Sequence, residues 1–143
     1  MMKWFSKHMI QNLGWLYALM FFMIASLSYI PGLTDANGQL FGLFSLDLYD
    51  DLLHFGSGLW AAIAAWRSEK AALLYFRLFG IIYGLDGLLG LATGQGYLDG
   101  GIFLYGVTPL SFATRVATNI PHILIGGIAV FIGYVLSRKY AQG

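Results

Sequence analysis

LGWLYALMFFMIASLSYI, residues 13–30, is a run of 18 residues without a charged side chain, and Pro31 and Gly32 follow it directly. A helix needs about 20 mostly apolar residues to cross the roughly 30 Å hydrocarbon core of a bilayer. Proline lacks the N–H group that would continue the helix. The run therefore predicts a membrane-spanning helix that ends at the Pro31-Gly32 pair.

The composition of the whole chain agrees with an integral membrane protein. Its 143 residues are 58% hydrophobic and 10% charged, with a mean hydropathy of +0.68, whereas soluble domains carry about 25% charged residues. There is no cysteine, which excludes disulfides, iron–sulfur clusters and thiolate chemistry. A net charge of +1 predicts no nucleic-acid partner.

Three further stretches are long and apolar enough to span a membrane, at residues 46–66, 71–92 and 109–137. Thr108 and Pro109 predict the start of the last helix, as an N-cap followed by proline at the first helical position, and Pro121 predicts a kink within it. We expect an all-α fold, a four-helix membrane bundle that forms a single transmembrane domain over residues 1–143.

The basic residues predict the orientation of these spans. Six basic residues flank the spans on one side of the predicted membrane: Lys3, Lys7, Arg67, Lys70, Arg138 and Lys139. Arg115 is the only basic residue that flanks them on the other side. Because cytoplasmic loops carry an excess of lysine and arginine, the chain is predicted to lie in a bacterial inner membrane with both termini in the cytoplasm. The glycine-rich loop that begins at Thr93 would face outward and could fold back over the bundle.

A short motif occurs in both the second and the fourth predicted helix. Asp51-Leu-Leu-His54-Phe-Gly-Ser-Gly58 and Asn119-Ile-Pro-His122-Ile-Leu-Ile-Gly126 share an Asp or Asn, a His three residues later and a Gly four residues after that. A shift of 68 residues superposes the two motifs without a gap. It predicts an internal repeat of two similar hairpins, residues 1–70 and 71–143, related by an axis along the membrane normal.

The spacing of three and four residues places each motif on one helical face. Small residues on these faces let membrane helices approach closely. We therefore expect the second and fourth helices to pack against each other, pairing Asp47 with Arg115, Asp51 with Asn119 and His54 with His122. The predicted packing residues are Gly58, Ala61, Gly126 and Gly133, together with Gly80 and Gly84 on the third helix.

Asp86 lies on the third helix, about six residues before its predicted outer end, at a depth similar to that of His54. These residues predict a polar cluster in the outer half of the bundle, formed by Asp47, Asp51, His54, Asp86, Arg115, Asn119 and His122. Polar side chains inside a membrane are costly, so they face the protein interior and often mark function.

Four interpretations of the polar cluster remain open. It either joins the helices through hydrogen bonds or binds a divalent metal through His54, His122, Asp50 and Asp86, since imidazole and carboxylate ligands suit zinc, iron and manganese. A b-type haem held by the two histidines is the third interpretation, and a proton relay is the fourth. The pattern offers no catalytic residue, because no nucleophile lies beside a base.

The paired motifs, carried by Asp51, His54, Gly58, Asn119, His122 and Gly126 on the second and fourth of four helices, define a resemblance. The chain resembles a bacterial family of small four-helix membrane proteins, domain of unknown function 4383, over nearly its whole length. The resemblance implies the fold and the two histidines but no activity. Pro121 and the long glycine-rich loop depart from the pattern.

These observations favour a small non-enzymatic inner-membrane protein that acts as an accessory or structural subunit of a membrane complex. Membrane lipid and either a membrane-protein partner or further copies of the chain are its predicted contacts. The alternative is a protein that binds a metal or b-haem through His54 and His122.

Overall fold

The computed structural model describes residues 8–140. Within this part of the chain the fold is helical and contains no strand, with only isolated bridges near Leu40 in the first long loop. The helices are α1 (Met9–Leu27), α2 (Leu48–Arg67), α3 (Glu69–Thr93), α4 (Gly101–Tyr105) and α5 (Phe112–Phe131). A π-helical turn, Ile132–Leu136, continues α5 into α6 (Ser137–Tyr140). The predicted all-α class is confirmed.

Three stretches are long and apolar enough to cross a membrane: Met9–Leu27, Glu69–Thr93 and Phe112–Leu136. The remaining predicted span, the second along the chain at residues 46–66, forms a helix, α2, of 20 residues. It is less apolar than the others because Asp50, Asp51 and His54 lie in its first two turns. The chain therefore has the helices of a membrane protein, and three of its four predicted spans are apolar enough to be candidates.

Helix caps explain where the observed boundaries differ from the predicted ones. The predicted start of the last helix at Pro109 is wrong, because Ser111 is the N-cap and its side chain accepts the Thr114 N–H at 3.1 Å. Thr108 instead donates its backbone N–H to the Thr93 carbonyl at 2.9 Å, which ties it to the end of α3. α1 ends at Leu27 rather than residue 30, since the chain tightens into turns before Pro31.

The long helices pack as two antiparallel pairs, α1 along α2 and α3 along α5. Gln11 near the start of α1 donates to the Ala65 carbonyl near the end of α2 at 2.9 Å. In the second pair, the Arg77 Nε of α3 donates to the Gly133 carbonyl at 2.8 Å. The π turn bonds the Ser137 N–H to the Ile132 carbonyl, so the Gly133 carbonyl does not accept that N–H and is available to side-chain donors.

The small-residue faces pack within each pair, so the prediction that α2 and α5 pack on each other through them is wrong. A methyl group added at Gly126 of α5 would lie 2.4 Å from the Gly84 nitrogen and 2.9 Å from the Gly80 carbonyl oxygen of α3. Gly58 of α2 faces α1, where a methyl group would lie 3.0 Å from the ring of Phe22. Each glycine face meets the helix beside it in its own pair, where the backbones can approach most closely.

Aromatic rings fill the space between the two pairs. They stack or meet edge to face with centroid separations between 4.8 and 6.4 Å, and the buried members are Tyr17, Phe21, Tyr75, Phe76, Phe79 and Tyr83. The Tyr17 hydroxyl crosses from α1 to donate to the Ile125 carbonyl of α5 at 2.8 Å. This aromatic layer, rather than a glycine face, joins the pairs.

Candidate functional site

A cavity of about 510 Å³ lies at the end of the helices that meets the two long loops, residues 28–47 and 94–111. We call this end the loop end and the cavity the loop-end cavity. Polar side chains from three helices line it: Asp50, His54, Asp86, Asn119 and His122. Further polar side chains come from the loops and the start of α5, Asp99 among them, and the remainder of the wall is apolar. Polar groups thus converge beside an apolar surface, as is usual in ligand sites.

Asp86 of α3 is the most connected of these side chains and is only 2% exposed. Its Oδ2 lies 2.8 Å from Nδ1 of His122 on α5. Its Oδ1 accepts the backbone N–H groups of Tyr97 at 2.6 Å and Leu98 at 2.9 Å. One carboxylate thus joins two helices and the second loop.

The second loop folds back over Asp86 because glycine permits a close approach. Gly94 ends α3 in the left-handed region at φ 84°, and a methyl group at Gly96 would lie 2.6 Å from Asp86 Oδ1. The Tyr97 hydroxyl then donates to the Ile82 carbonyl of α3. Partial burial, with the nearby Asp86 charge as a smaller cause, raises the pKa of Tyr97.

His54 of α2 is 6% exposed and lines the cavity. Its ring stacks on Phe21 at 6.2 Å and meets the His122 ring edge to face at 6.5 Å between centroids. Its Nδ1 is buried without a hydrogen-bond partner in the described chain. His122 also stacks on Tyr83 at 4.5 Å, so the structure brings the two motif histidines together, with different surroundings.

The predicted pairing of Asp47 with Arg115 does not form, and among the side chains that the structure describes the sole ion pair is His122 with Asp86. Asp47 is the N-cap of α2 and accepts the Tyr49 and Asp50 N–H groups. Arg115 donates to the Ala92 carbonyl at 3.1 Å and so caps the end of α3. Both side chains satisfy helix ends that would otherwise lack partners.

Asp51 and Asn119 also have other partners than each other. The Tyr29 hydroxyl donates to Asp51 Oδ2 at 2.7 Å, and this hydrogen bond, followed by the charge of Asp51, raises the pKa of Tyr29. Asn119 donates to the carbonyl of Arg115 one turn earlier at 2.9 Å. Of the three predicted pairs, only the two histidines meet.

The described residues contain no group of three or more His, Asp or Glu side chains that could hold a metal ion. The predicted set of His54, His122, Asp50 and Asp86 is therefore not such a group. Asp86 already accepts three hydrogen bonds, and Asp50 Oδ2 accepts the Asp47 N–H at 3.1 Å.

Sequence reasoning missed the loop contacts of the site. Tyr97 and Leu98 contribute through their backbone N–H groups, which leave no side-chain signature, and Tyr29 lies beyond the end of its helix. The one available signal was the glycine-rich segment of residues 94–101, which led to the expectation that this loop folds back.

Comparison with known proteins identifies a family. The model described as Domain of unknown function (DUF4383) matches residues 11–135. No curated protein and no solved structure matches the chain. Because the family model covers most of its length, the chain belongs to this family, and the resemblance drawn from the paired motifs is confirmed.

Proposed function

We propose that this member of the DUF4383 family is a small, non-enzymatic integral membrane protein that serves as an accessory subunit of a larger membrane complex. In this proposal all four long helices cross a bacterial inner membrane as one bundle of two similar hairpins, with both termini in the cytoplasm. The observation that carries it is Asp86, whose hydrogen bonds hold α3, α5 and the second loop together. A carboxylate used in this way fixes shape and has little capacity left for catalysis.

The energetics support a structural role for Asp86. Hydrogen bonds to charged groups contribute about 1.5–3 kcal/mol each, whereas hydrogen bonds between membrane helices average about 0.6 kcal/mol. Three hydrogen bonds on one carboxylate therefore contribute more free energy than a single hydrogen bond between two membrane helices. The loop end therefore keeps a fixed surface to present to another protein.

The outward face of α2 supports contact with a partner. Its large exposed side chains recur every three or four residues, at Leu52, Phe55, Leu59, Ile63 and Trp66. α2 is the least apolar of the four long helices, yet this stripe is continuous. A helix of a second protein or a second copy of this chain fits such a stripe, since side-chain packing drives helix association in lipid.

The accessory role is tested by extracting the full chain, expressed at native level, from its own membrane into copolymer-bounded lipid particles. We expect mass photometry and quantitative mass spectrometry to find one partner, or a second copy, at constant stoichiometry. Leu59→Ala/Ile63→Ala on the α2 stripe should release it. Leu74→Ala/Leu78→Ala is the matched control, with two exposed residues four apart on α3. Particles that hold a single copy of this chain alone would contradict the proposal.

Binding of a metal or b-haem by His54 and His122 is the second candidate. It is favoured by one observation: His122 Nδ1 is held by Asp86, as metal-ligating histidines commonly are by a carboxylate, while His54 Nδ1 has no partner. Metal analysis and an absorption spectrum of the purified protein decide the matter. Stoichiometric metal or a Soret band that disappears in His54→Ala/His122→Ala would establish a cofactor site, and a metal-free, colourless wild type would refute it.

A further inference from the structure

We propose that the loop-end cavity binds a protonated organic amine with an apolar body. This inference does not depend on the accessory role, because it concerns a cavity within one copy of the chain. It rests on the size of the cavity, the charges around it and one buried imidazole.

The cavity has room for a small organic molecule. Its 510 Å³ falls within the roughly 300–1,000 Å³ of typical ligand pockets. Apolar side chains from α1, both loops and α5 form much of the wall and would surround an apolar body: Ile24, Leu27, Leu40, Phe44, Leu110 and Ile125.

The charges around the cavity favour a cation. Three carboxylates line it, Asp50, Asp86 and Asp99, and the lining contains no lysine or arginine. His122 partners Asp86, whereas the hydrogen bonds of Asp50 and Asp99 come from the backbone N–H groups of Asp47 and Gly101. Two carboxylates thus lack a cationic partner, and a cleft lined by one sign of charge attracts the opposite sign.

The distribution of these charges favours an organic cation over a metal ion. No three His, Asp or Glu side chains of the described chain form a group that could hold a metal. The ring of Phe44 also lines the cavity, and aromatic faces attract organic cations.

His54 supplies the hydrogen-bonding group. It is 6% exposed, its ring lines the cavity, and neither ring nitrogen makes a hydrogen bond within the described chain. Buried polar side-chain atoms are nearly always hydrogen-bonded. Nδ1 is closed off from the cavity, so Nε2 is the nitrogen that suits a ligand. A neutral imidazole nitrogen accepts a hydrogen bond, and an ammonium N–H donates one.

Three probes that share one apolar body test the proposal: 1-aminoadamantane, 1-adamantanol and 1-adamantanecarboxylate. Isothermal titration of the purified chain in non-ionic detergent should show that the amine binds and that the alcohol and carboxylate do not bind measurably. Asp50→Asn and Asp99→Asn should each weaken amine binding about tenfold, since an interaction with a charged group is worth about 1.4 kcal/mol or more. Glu69→Gln, an exposed carboxylate at the opposite end of α3, is the matched control and should leave binding unchanged.

A second readout follows His54 directly. The chain has three histidines, so ¹⁵N-histidine spectra can be assigned with His54→Asn, and the amine should shift the His54 ring signals. Equal binding of the amine and the alcohol, absence of amine binding, or unchanged affinity in folded Asp50→Asn and Asp99→Asn would each overturn the proposal. Asp99 lies in a loop, so its variant remains informative if Asp50→Asn does not fold.

Discussion

The two carboxylate oxygens of Asp86 have separate roles. One oxygen bonds to His122 on the neighbouring helix, and the other accepts two N–H groups from the loop that covers the cavity. His54 contrasts with it, because it is also buried but keeps a ring nitrogen without a hydrogen bond. At the residue scale, the loop end thus combines one carboxylate whose hydrogen bonds are satisfied with one imidazole whose hydrogen bonds are not.

A double-mutant cycle on Asp86→Ala and His122→Ala tests the bond between them. Each single variant should lower the free energy of unfolding in detergent by about 1–3 kcal/mol, because the remaining partner stays buried without its hydrogen bond. The double variant should lose less than the sum of the two, by about 1 kcal/mol. Additive losses would show that the two side chains contribute independently and would contradict the contact.

At the scale of elements, α3 and α5 approach closely because glycines face glycines, but the contact is not symmetric. A methyl group at Gly126 would collide with the backbone of α3 at 2.4 Å, whereas one at Gly84 would have its nearest neighbour at 3.9 Å. The two glycines therefore predict opposite responses to the same substitution.

Gly126→Ala should lower the free energy of unfolding by about 1–3 kcal/mol, since overpacking forces the helices apart. Gly84→Ala should be neutral or slightly stabilising, because alanine favours the helix over glycine by about 1 kcal/mol. Unfolding in a denaturant series measures both variants under one condition. Equal losses in the two variants would contradict the observed register of α3 against α5.

The sequence allowed the helices to be predicted to within a few residues, because uninterrupted apolar runs and small-residue spacing are local properties. The sequence led to a wrong prediction of which helix faces pack together, because the spacing of glycines on α5 is compatible with packing against either α2 or α3. Only the chain connection and the matching Gly80 and Gly84 select α3. The start of α5 was misplaced because Thr108-Pro109 and Ser111 both resemble caps, and the bond from Thr108 to Thr93 that decides between them is a tertiary contact.

At the scale of the whole molecule, an aromatic layer joins the α1–α2 pair to the α3–α5 pair, and both long loops meet at one end. The histidine pair could be predicted from its repeated motif. The cavity beside it could not, because it arises from two loops whose backbone paths depend on left-handed glycines such as Gly94. The proposal that α2 crosses the membrane also concerns the whole molecule, because it sets which side of the membrane each loop faces.

The absence of native cysteine permits a direct test of that topology. Single cysteines at three exposed positions, Asn37→Cys, Tyr105→Cys and Lys70→Cys, would be treated with a membrane-impermeant maleimide. With four crossings and cytoplasmic termini, the first two should react in intact spheroplasts and Lys70→Cys only after permeabilisation. Reaction of Lys70→Cys together with Asn37→Cys would show that α2 does not cross.

The π turn at Ile132–Leu136 divides the last long helix into two parts whose rotational phase is set independently. The π turn contains one residue more than an α-helical turn, and this extra residue rotates the following segment by about 100° around the helix axis. Arg77 and the Ser137 hydroxyl both bond to the Gly133 carbonyl that this leaves open. Removing one residue within the turn would restore the regular ladder and rotate Ser137–Tyr140, while the face around Gly126 stayed in place. The direction in which the chain leaves the helix pair can therefore vary without disturbing the packing behind it.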